Sequence, residues 1–107
     1  MTKTTIDPGV CGFIAQVESV TDDGMEVKLT VQTDCQSVTR MIEELGDTYN
    51  AYEICLCKPG SGVFYEYASA HEYDSHCACP VISGIIKTIE ASCQLALPRN
   101  VSVTFED

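Results

Sequence analysis

The chain has 107 residues, of which 6 are Lys or Arg and 16 are Asp or Glu, giving a formal net charge of −10. That length suits a single domain with one modest core, and a hydrophobic fraction of 45% belongs to a globular chain, not a disordered one. Such an acidic balance argues against nucleic acid and anionic membrane surfaces, which need clustered Lys and Arg. A macromolecular partner is expected to present a basic face.

Residues 1–8 contain no apolar run of the kind a signal peptide requires. No stretch approaches the roughly 20 apolar residues that cross a bilayer, so the expected location is cytoplasmic. Seven cysteines are an odd number, which a closed disulfide framework would not use up. In a reducing compartment this density points to metal binding or redox chemistry.

Residues 12–19 alternate as a half-buried strand, with Phe13, Ala15 and Val17 on one face. Thr21, Asp22, Asp23 and Gly24 form a turn sequence. Residues 25–33 alternate more clearly, Met25, Val27, Leu29 and Val31 against Glu26, Lys28, Thr30 and Gln32. The two runs predict an antiparallel hairpin with one face on a core. Residues 36–45 take helical spacing, with Val38, Met41, Ile42 and Leu45 together, Asp34 or Cys35 as cap and Gly46 as stop.

Residues 51–54 extend a helix or open a strand; the pattern leaves both open. Residues 58–62 are a turn or loop, and residues 63–67, rich in Val, Phe and Tyr, predict a short strand. Residues 74–79 are a polar connection rich in metal-binding side chains. Pro80 suits the first position of a helix, and Val81, Ile82, Ile85, Ile86, Ile89 and Cys93 give residues 80–95 a strongly apolar side. Val101, Val103 and Phe105 alternate into a last strand. The expected class is α+β: a small antiparallel sheet, helices on one face, a long C-terminal helix and a short final strand.

Several cysteines stand at element boundaries. Cys11 opens the first hairpin strand, Cys35 lies between the second strand and a helix, and Cys77 and Cys79 precede the long helix. Hairpin geometry sets the start of one strand beside the end of the other, bringing Cys11 toward Cys35. If the long helix starts at that same end of the sheet, His76, Cys77 and Cys79 join them. Helix N-termini favour anions, and Cys35 and Cys79 both occupy predicted helix starts. A thiolate-rich set suits Zn²⁺ or an iron–sulfur cluster. The expected ligands are Cys11, Cys35, Cys77 and Cys79, with His76 and Asp34 as further candidates. Cys55 and Cys57 are equally explained by an apolar strand, Cys93 by burial in the helix, and His71 by a solvent-facing loop.

This order, a cysteine opening a hairpin, another at the strand-to-helix junction and a His-Cys pair before a long helix, resembles the iron–sulfur cluster assembly scaffolds of the IscU/NifU N-domain type. The resemblance implies that Cys11, Cys35 and Cys77, helped by His76, hold a nascent cluster or a zinc ion. It departs at Asp34 and Gln36, where the family carries glycine, and at Phe13, where it carries aspartate. The Cys79-Pro80-Val81 helix start also looks like a family of short proteins from anaerobes, in which Cys79 takes the ligand's place.

Three functions follow. The first is a scaffold or carrier for an iron–sulfur cluster, 4Fe-4S as the expected type, serving donor or acceptor proteins and possible as a homo-oligomer sharing the cluster. The second is a structural zinc domain acting as an acidic interaction module. The third, and least supported, is thiol redox activity at Cys77 and Cys79 or Cys55 and Cys57. No phosphate loop, HExxH or GxSxG motif supports a hydrolase or transferase.

Overall fold

The computed structural model describes residues 1–70 and 77–106. Its elements in chain order are β1 (Thr2–Ile6), β2 (Ala15–Thr21), β3 (Glu26–Thr33), α1 (Gln36–Leu45), β4 (Thr48–Asn50), α2 (Ala51–Cys55), α3 (Val63–Ala70) and α4 (Pro80–Ser92). The strands form one sheet in the order β1-β2-β3-β4, every neighbouring pair antiparallel. Ala15, Val17, Ser19, Val27, Leu29 and Tyr49 line its buried face, where the helices pack. The class is therefore α+β.

The hairpin expected at residues 12–33 is the β2–β3 pair, in register from Ala15 opposite Thr33 to Thr21 opposite Val27. Asp23 closes its turn: one carboxylate oxygen accepts from the backbone N–H groups of Met25 (2.9 Å) and Glu26 (3.0 Å). Two ends are shorter than the alternation predicts. Phe13 and Met25 stay 45% and 44% exposed, outside the strands instead of on the core face. Cys11 accordingly lies in the β1–β2 connection and does not open a strand.

Helix α1 has the predicted limits. Val38 and Met41 are buried, Cys35 is its N-cap and Gly46 its C-cap, and Gly46, at φ 96°, donates its N–H to the Ile42 carbonyl. A left-handed residue at that point ends the helix at small steric cost because it has no Cβ. Residues 51–54 are helical: the Asn50 side chain accepts from the N–H groups of Tyr52 and Glu53 and so starts α2.

Three expectations are corrected. Residues 63–67 form the first part of α3, not a strand. Phe64 and Tyr67 are the buried pair, and their spacing of three is helical, so packing of the aromatic rings overrides β propensity. Residues 101–105 form no strand among the described residues, and Val101, Val103 and Phe105 are exposed. The long helix ends at Ser92, with Cys93 as C-cap, instead of running to residue 95. The sheet also gains β1, whose Thr2, Thr4 and Ile6 are half-buried, and the three-residue β4.

How α4 crosses the sheet positions everything that follows. Gly84 lies against Ile6, so closely that a Cβ there would overlap the Ile6 side chain. One turn on, the Thr88 hydroxyl bonds that of Thr4 at 2.7 Å. One further turn on, the Ser92 hydroxyl meets that of Ser19, which lies opposite Thr2, at 2.8 Å. Four helical residues rise about 6 Å and two strand residues about 6.6 Å. The repeats match, and α4 runs antiparallel to β1. Thr88 donates to the Gly84 carbonyl and Ser92 to that of Ile89, so Thr4 and Ser19 act as the donors to them. The fully buried Ser19 and Thr88 hydroxyls are thereby satisfied.

Two predictions follow from this packing. Gly84→Ala gains about 1 kcal/mol of helix propensity but overpacks Ile6, which typically costs about 1–3 kcal/mol. Combined with Ile6→Ala it should show a favourable coupling of about 1 kcal/mol in a denaturant double-mutant cycle; strict additivity would contradict the close approach. The second concerns acid. The Glu26 and then the Met25 N–H hold the Asp23 carboxyl below its ordinary value of 3.8. Its stabilisation is therefore complete above the unfolded value and is lost as pH falls through the lower folded one. Asp23→Ala should flatten the acid limb of stability against pH, and an unchanged limb would count against the turn.

Candidate functional site

The Ile6 end of the sheet is also where β2 begins at Ala15 and β3 ends at Thr33. Because Gly84 packs on Ile6, the N-terminus of α4 projects past this same end. Cys11, Cys35, Cys77 and Cys79 all belong to connections at this end of the sheet. Thr33 ties two of these connections together. Its hydroxyl donates to the Phe13 carbonyl (3.5 Å), two residues after Cys11, and accepts the Cys35 N–H (3.2 Å).

Cys35 and Cys79 are the N-caps of α1 and α4, and neither thiol makes a capping hydrogen bond. Ser or Asp at an N-cap normally satisfies a helix N–H group itself; here the thiols leave those groups to water or a ligand. Both are half-buried against the core, whereas Cys11, Cys77 and Asp34 are exposed. All seven cysteines are unbridged. Among the described residues, no three of His, Cys, Asp and Glu lie close enough together to hold a metal ion. His76 and His71 fall outside the described residues.

A second thiol group, not foreseen from sequence, lies between α2 and α4. The Cys55 thiol donates to the Ile86 carbonyl at 3.8 Å. Burial, then the Glu90 carboxylate and the neighbouring Cys93 and Cys57, push it up to about 12. Cys57 reaches the carbonyls of Ile54 and Ser61, at 3.4 and 3.5 Å. Cys93 is buried, 3.9 Å from the Ser92 hydroxyl. The residues 55–57 repeat reads as a strand in the sequence; only the helical turn of α2 directs Cys55 at α4. Protonated at neutral pH, the Cys55 thiol is a poor metal ligand and a poor nucleophile.

A family model described as a family of unknown function, DUF6951, matches residues 2–105. The chain belongs to the DUF6951 family. No curated protein and no solved structure gives a match. The family match takes in both thiol groups and runs from β1 through the exposed segment after α4. No helix among the described residues is long and apolar enough to cross a membrane.

Exposure and protonation should order the thiols under alkylation at pH 8 with mass mapping. Exposed Cys11, Cys57 and Cys77 should react first and buried Cys93 only on unfolding. Cys55 should lag the exposed thiols by on the order of a hundredfold. Equal rates at Cys55 and Cys57 would contradict the placement of α2 against α4.

Proposed function

We propose that the chain holds an iron–sulfur cluster at the Cys11–Cys35–Cys77–Cys79 end of the sheet and acts as its scaffold or carrier. The observation that carries this reading is the pair of N-cap thiols, Cys35 and Cys79, both without a capping hydrogen bond and both at the end where the Cys11 and Cys77 connections emerge. The donor chemistry fits, since thiolates select soft and borderline metals. Helix N-termini lend the anionic ligands and the cluster positive potential. The exposed connections carrying Cys11 and Cys77 would close the ligand set, coupling metal uptake to local ordering. Asp34, beside Cys35 and exposed, supplies an oxygen donor from which a cluster is readily released. His76 is the remaining candidate. The ligand order shared with the IscU/NifU type supports the same reading.

A net charge of −10 suits donor or acceptor proteins with basic contact faces, and unbridged cysteines suit a reducing cytoplasm. A cluster shared between two copies is one form such a carrier would take. The same four thiols also form a donor set of the structural zinc type, and zinc without sulfide is the outcome that selects an acidic interaction module instead.

The test is anaerobic reconstitution with iron and sulfide, followed by metal and sulfide quantitation. Wild-type protein should take up both and gain thiolate-to-iron absorption. Cys35→Ala and Cys79→Ala should lower retention roughly tenfold or more, while Cys93→Ala should leave it unchanged. Zinc alone in the purified protein, or retention indifferent to Cys35 and Cys79, would overturn the cluster reading.

A further inference from the structure

Two unmatched features lie far apart in the chain and fit each other. Among the described residues β1 is an edge of the sheet, paired only with β2, and such an edge offers a row of free backbone donors and acceptors. Residues 101–105 have the composition of a strand, alternate strictly, and carry their apolar side chains into solvent: Val101 is 72%, Val103 85% and Phe105 97% exposed. Both the edge and this segment fall inside the family match. We propose that the chain forms a two-fold dimer in which residues 101–105 of each copy add as a strand to the β1 edge of the other.

Charge selects the direction. Run antiparallel, with Val101 opposite Ile6 and Phe105 opposite Thr2, the segment carries Glu106 to a diagonal position beside Lys3 on the same face. Diagonal neighbours are within reach of long side chains and opposite charges attract there. Run parallel in the equivalent register, Glu106 comes opposite Asp7, a repulsive pairing. In the antiparallel register Val101, Val103 and Phe105 share the face of Ile6, Thr4 and Thr2, which is the α4 side of the sheet. The apolar residues then extend the core instead of facing water.

The fold favours a second copy over the chain's own edge, since residues 101–105 pair with no strand among the described residues of their own chain. α4 delivers the chain at the Thr2 end of β1, whereas an antiparallel partner strand must start at the Ile6 end. Cys93 is buried and Leu95 packs on the core, which leaves residues 96–100 for the return. The six Cα steps from Leu95 to Val101 span at most about 22 Å, and the four steps along β1 use about 14 Å of them, so a return within one chain would draw this segment out with little slack. A second copy has no such constraint, and a two-fold axis doubles every contact.

The inference does not rest on the cluster reading, so it is tested on metal-free, reduced, full-length chain by light scattering across a dilution series. The expected mass is twice the chain's 11.7 kDa. Thr104→Pro removes a ladder N–H, because Thr104 lies opposite Lys3, whose backbone groups face the open edge while those of Thr2, Thr4 and Ile6 face β2. The residue is outside the folded core, and the change should weaken the dimer roughly tenfold or more. Lys3→Glu and Glu106→Lys should each weaken it by about threefold to tenfold, and the two together should restore it. A monomer at all concentrations, with or without hydrogen-exchange protection of residues 101–105, would overturn the proposal. So would a dimer indifferent to Thr104→Pro, and a double charge swap no better than the single ones would overturn the antiparallel pairing.

Discussion

Helix α4 fits the sheet because its four-residue repeat of Gly84, Thr88 and Ser92 matches the two-residue repeat of the strands beneath it. Each step joins a small or hydroxylated helix position to a strand residue: Ile6 under Gly84, Thr4 under Thr88, Ser19 under Ser92. A slip of α4 by one turn would set Ile6 against Thr88 and leave the buried Ser19 hydroxyl without Ser92. An unsatisfied buried hydroxyl costs about 1–3 kcal/mol, and the overlap at Ile6 adds to it. Apolar packing of Val81, Ile82, Ile85 and Ile89 supplies most of the burial but is tolerant of position. The hydroxyl pairs and the glycine supply the address.

From that address the distribution of thiols follows. One end of α4, capped by Cys79, lies at the same end of the sheet as the connections that carry Cys11 and Cys35; further along, Ile86 and Glu90 face Cys55 on α2. The chain thus keeps two kinds of cysteine. Those at the sheet end are exposed or half-buried, and its two N-cap thiols make no capping hydrogen bond. Of those between α2 and α4, Cys55 and Cys93 are sheltered, and burial first, with the Glu90 carboxylate second, keeps the Cys55 thiol protonated. Placement alone thus gives one residue type two environments, a sheltered interior and an accessible rim.

Much of this was legible in the residues. The β2–β3 hairpin and α1 emerge from unambiguous periods of two and 3.6, and Pro80 marks the start of α4. That the boundary cysteines share one end of the sheet depends on the direction of α4, which no local pattern encodes. β1 escaped notice because threonines stand where aliphatic residues would advertise a strand. α3 was misread because Val63, Phe64, Tyr65 and Tyr67 favour strands intrinsically, while the decisive fact, burial of Phe64 and Tyr67 at a spacing of three, belongs to tertiary packing. Residues 101–105 carry a strand pattern but pair with no strand among the described residues of their own chain, because alternation alone does not supply a partner edge. The group at Cys55 depended on a helix-to-helix contact between residues 31 positions apart.

The direction and register of α4 are the claim on which both the sheet-end thiols and the exposed strand segment depend. Methyl-resolved nuclear Overhauser spectroscopy addresses it at single contacts. The account predicts a strong cross-peak between the Ile6 methyls and the Gly84 α-protons, a second between the Thr4 and Thr88 methyls, and none from Ile6 to Ser92. Cross-peaks joining Ile6 to Ser92 in place of Gly84 would reverse the helix, move Cys79 to the opposite end from Cys11 and Cys35, and contradict the account.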